Sequence, residues 1–136
     1  MPDLTSTEIA GRIEDLYGAP LGVLASHAQD LPPGMLSAVL GMHDDVAHAE
    51  RSIAFHRDRL AQLVHPERQI GGHEVSHVLD CSRRIAEAVA VRDVQSKAAL
   101  AVLQSLGPVS APQPSPGPVP AVPAPPVPAA STARSR

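Results

Sequence analysis

Between Met35 and Leu63 the apolar positions Met35, Val39, Met42, Val46, Ala49, Ile53, Leu60 and Leu63 recur at alternating separations of four and three, with His56 filling the one gap in the series. Residues at those separations return to one side of an α-helix, and an unbroken alternation of this kind is the a/d seam of a heptad repeat. The pattern predicts a helix over residues 35–64, about 45 Å long at the helical rise of about 1.5 Å per residue. A rod of that length with one apolar side needs another helix against it. Residues 65–72 predict the reversal that supplies one, because Pro66 cannot continue the first helix and Gly71-Gly72 free the backbone to turn. A second long helix is predicted from His73 to Leu106. Val75, Val78, Ile85, Val89, Ala99, Leu103 and Leu106 lie along one side of it, and Ser82, Arg92 and Ser96 interrupt the stripe. The pairs Asp80/Arg84, Arg83/Glu87 and Asp93/Lys97 stand at i, i+4 and support this helix on its outer side.

Ahead of the hairpin, Thr5 and Glu8 have the spacing of a capping box, and Ile9, Ile13, Leu16 and Tyr17 then fall on one helical face up to Gly18. A shorter segment runs from Pro20, a suitable first-turn residue, to the Pro32-Pro33-Gly34 break. Beyond Leu106, Gly107-Pro108 ends the last helix, and the remainder is Pro, Ala, Val and Ser with no charge before Arg134. That composition predicts a disordered, proline-rich tail with polyproline II character, with Pro120/Pro123, Pro123/Pro126 and Pro125/Pro128 as PxxP steps. The predicted fold is all-α: a long antiparallel helical hairpin with an N-terminal helix, as a small helical bundle or coiled coil. Its parts are an N-terminal helical segment (1–33), the hairpin (34–106) and the tail (107–136).

Composition sharpens this picture. Only 1% of the 136 residues are aromatic, with one Tyr, one Phe and no Trp, so the core must be aliphatic and the chain lacks platforms on which bases could stack. Eleven Lys and Arg against 14 Asp and Glu give a net charge of −3, mixed in sign along the helices, which argues against nucleic acid as a partner. No apolar run approaches the roughly 18 residues of a membrane span, so no membrane partner is expected. Cys81 has no second cysteine to pair with, and Met1-Pro2-Asp3-Leu4 does not read as a secretion signal, so the expected location is cytoplasmic.

One motif carries possible chemistry. His73-Glu74-Val75-Ser76-His77 is an H-E-x-x-H sequence, which resembles the zincin metallopeptidases. The resemblance covers about ten residues. It implies His73 and His77 as zinc ligands one helical turn apart and Glu74 as the general base that activates the bound water. The metzincin continuation departs from that pattern, because Asp80 and Arg83 stand where a Gly and the third His are required. A third ligand from Glu87 or Asp93 would have to reach back along the same helix, and no strand is predicted to hold a peptide. A non-catalytic site from His73, His77 and Cys81, at i, i+4 and i+8, with His56 or His65 across the hairpin, is a further arrangement. His43, His48 and His65 read as solvated, and His56 as a polar seam residue that sets register. Cys81 has no group nearby in sequence to serve as its base.

The sequence therefore predicts a non-enzymatic module for protein–protein interaction or oligomerisation, with no cofactor. Its expected interface residues are Val39, Met42, Val46, Ile53, Leu60 and Leu63. Because so small a domain buries little surface within one chain, the heptad seam predicts pairing with a second copy as a homo-oligomer, with a monomeric three-helix bundle as the alternative. The competing functional class is a zinc-dependent hydrolase using His73, His77 and Glu74.

Overall fold

Two long helices, α3 (Met35–Leu63) and α4 (Gly72–Leu106), run antiparallel, and two short ones, α1 (Ser6–Tyr17) and α2 (Leu21–Gln29), pack against one end of that hairpin. The computed structural model describes residues 3–107, among which all regular structure is helical. The expectations for the proline-rich tail, apart from Gly107, lie outside the described residues.

Each helix start has an identifiable cause. Thr5 caps α1 by accepting the Glu8 N–H, while the Glu8 carboxylate accepts the Thr5 N–H at 2.8 Å, which completes the reciprocal box. Gly18 ends α1 in the left-handed region, at φ 70°, and directs its N–H to the Glu14 carbonyl. Glu14 also accepts the Leu21 N–H at 3.0 Å, and so supplies the cap that Pro20 cannot. Pro20 stands at the N-cap rather than in the first turn. At α3 and α4 the capping residues are Gly34 and Gly71, which have no side chain. Only the return half of the box exists there, with Ser37 Oγ accepting the Gly34 N–H and Glu74 Oε2 accepting the Gly71 N–H, both at 2.9 Å.

The core has two parts. The larger joins Ile9 and Ile13 of α1, Leu24 of α2, Val39, Leu40 and Val46 of α3, and Ala99 and Leu103 of α4. The smaller is made by the hairpin alone, from Ala49, Ile53 and Ala88, with Val89 beside them. Thus α1 and α2 cover the open end of the hairpin and leave the half nearer the turn as a two-helix structure. Two polar contacts fix α1 in place. Ser96 Oγ, on α4 and only 1% exposed, donates to the Leu4 carbonyl at 2.8 Å. Glu50 of α3 accepts from Ser6, whose N–H reaches Oε1 at 2.8 Å and whose Oγ reaches Oε2.

Several sequence expectations change here. Ser96 does not interrupt the α4 stripe: with its hydroxyl bonded to a carbonyl, it packs as a small buried residue. Val75 does not join that stripe and is 47% exposed, because α1 and α2 pack at the far end of the hairpin. Met35, the first seam position, is also exposed, having no helical turn ahead of it. Asp80/Arg84 pair at 3.1 Å and Arg83/Glu87 at 3.9 Å, but Asp93 meets its neighbour Arg92 at 3.0 Å instead of Lys97. His43 is not solvated: its side chain is 13% exposed and approaches Asp44 Oδ1 at 3.3 Å.

Candidate functional site

The HExxH residues occupy the first turns of α4, where a helix start makes its own demands on them. Four backbone N–H groups lack intrahelical partners there, and the helix dipole favours negative charge. Glu74 answers both needs by accepting the Gly71 N–H. Backbone hydrogen bonds, from its own N–H and then from Gly71, hold its carboxyl below the usual glutamate value. A carboxylate with a lowered pKa is a weaker proton acceptor than an ordinary one, and this one is turned toward the backbone behind the helix. His73 and His77 lie one turn apart with ring centroids 4.4 Å apart in an edge-to-face arrangement. His73 is exposed and His77 half-buried, and Cys81, one turn further on, is buried.

The structure does not bring a third ligand to this pair. Among the described residues, no group of three or more His, Cys, Asp or Glu is placed to hold a metal ion. Glu87 faces Arg83 and Asp93 is paired with Arg92, so both carboxylates point to cations of their own helix. Asp80, at the position of the zincin glycine, is bonded to Arg84 and Arg83, and those bonds lower its pKa. His65 Nδ1 accepts the Glu67 N–H in the turn, at 3.3 Å. His56 Nδ1 is shut off from solvent with no hydrogen-bond partner among the described residues, and its ring meets that of Phe55 edge-on at 5.1 Å.

The six seam positions also have a definite place. Val39, Val46, Ile53 and Leu63 are buried and Met42 and Leu60 are half-buried, within the chain's own helices. An interface with another molecule built from these six would require the hairpin to open. The apolar surface that stays free lies elsewhere. Leu79 and Val94 are each 65% exposed on the outer side of α4, and Phe55 is 66% exposed on α3. Between and beyond the two α4 residues, Ala86, Ala90 and Ala101 are exposed too. Separations of seven, four, four and seven positions place Leu79, Ala86, Ala90, Val94 and Ala101 on one helical face.

Sequence reasoning did not single out this row. Its signal was present as the weakness of the inward stripe on α4, since a helix with apolar residues on two opposite sides shows a blurred period on either one. Among the described residues no helix is long and apolar enough to cross a membrane. Compared with protein-family models, with curated proteins and with solved structures, the chain matches none.

Proposed function

We propose that the chain is a helical protein-interaction module that binds through the outer surface of its folded hairpin. The observation that carries this reading is the placement of Leu79 and Val94 in solvent on the outer side of α4, in line with Ala86, Ala90 and Ala101, while the seam is closed within the chain. Single exposed apolar residues are ordinary on a protein surface; a row along one helix, here broken by Arg83 and Lys97 on the same face, offers a partner helix several apolar contacts. Such a surface gives affinity through apolar burial and takes its specificity from its charges, here Arg83 and Lys97 within the row and Glu87 and Asp93 at its sides.

The test is photo-cross-linking of the full chain in its native cells, with a photoreactive residue at Val94 and, as control, at Ala25, which is exposed on α2. A discrete protein adduct from position 94 and none from position 25 is the expected result. The absence of any adduct from position 94 contradicts the reading. Zinc-dependent hydrolysis requires a different outcome, namely near-stoichiometric zinc in the purified protein that is lost on His77→Ala.

A further inference from the structure

No further inference is drawn: the strongest candidate, the open groove between α1 and the end of α4 lined by Arg12, Asp15, Leu16, Leu103, Gln104 and Gly107, carries nothing because nothing in the structure shows what covers it.

Discussion

Replacing Ile13 by Ala removes three carbon atoms from the centre of the larger core, where α1 meets α2, α3 and α4. Ile13 is 0% exposed and belongs to a cluster with Ile9, Leu24, Val39, Leu40, Val46, Ala99 and Leu103. At about 0.8 kcal/mol per buried carbon, the lost transfer energy is about 2.4 kcal/mol. A remaining cavity of about 50 Å³ adds about 1.2 kcal/mol at about 24 cal/mol per Å³. The sum, about 3.6 kcal/mol, lies inside the range of about 2–5 kcal/mol for such substitutions. It is a large part of the roughly 5–15 kcal/mol that holds a domain of this size together. The assay is urea unfolding at low micromolar protein, followed by far-ultraviolet circular dichroism, with Leu79→Ala measured beside it. Leu79 is 65% exposed, so its truncation should change stability by no more than about 0.5 kcal/mol. Equal effects of the two substitutions, or a cost below about 1 kcal/mol for Ile13→Ala, would refute the placement of α1 over the hairpin.

Three further outcomes are expected. Gly18→Ala should cost about 1 kcal/mol because its φ of 70° strains any residue with a Cβ, whereas Gly41→Ala, inside α3 with open space around it, should gain about 0.5–1 kcal/mol; urea midpoints moving in the same direction would contradict this. His56→Leu should raise stability by about 1 kcal/mol, since it removes a buried nitrogen that has no partner; a lower urea midpoint would mean that the nitrogen is bonded in solution. The carboxyls of Glu8 and Glu74, lowered by backbone hydrogen bonds from Thr5 and from Glu74 and Gly71, should titrate by NMR below 4.5. Their stabilisation is complete above the ordinary glutamate pKa and is lost as pH falls through the depressed values, so the starts of α1 and α4 should fray first in acid. Midpoints at or above 4.5 would remove both caps from the account.

The heptad of α3 made its helix, its length and most of its buried side legible, because four-three spacing leaves no other regular conformation in which Val39, Val46, Ala49, Ile53 and Leu63 share a face. The Thr5/Glu8 box was legible for the same reason: both of its bonds are local. What escaped the sequence depends on contacts across the chain. Ser96 reads as a break in a stripe until the Leu4 carbonyl, 92 positions away, is placed against it. Glu50 reads as one more charged residue of α3 until the start of α1 meets it. The HExxH sequence is legible as letters, but its Glu74 is turned to Gly71, and that direction follows from where the helix begins. The outer ridge of α4 was obscured by the alanines that form most of it, since alanine fits either side of a helix and carries little periodic signal.

The most direct test is photo-cross-linking of the full chain in its native cells, with a photoreactive residue placed in turn at Leu79 and Val94 on the outer side of α4 and at the exposed positions Ala25 of α2 and Ala54 of α3. The account predicts a discrete protein adduct from positions 79 and 94 and none from positions 25 and 54. Adducts from positions 25 or 54 alone, or none from position 94, would contradict it.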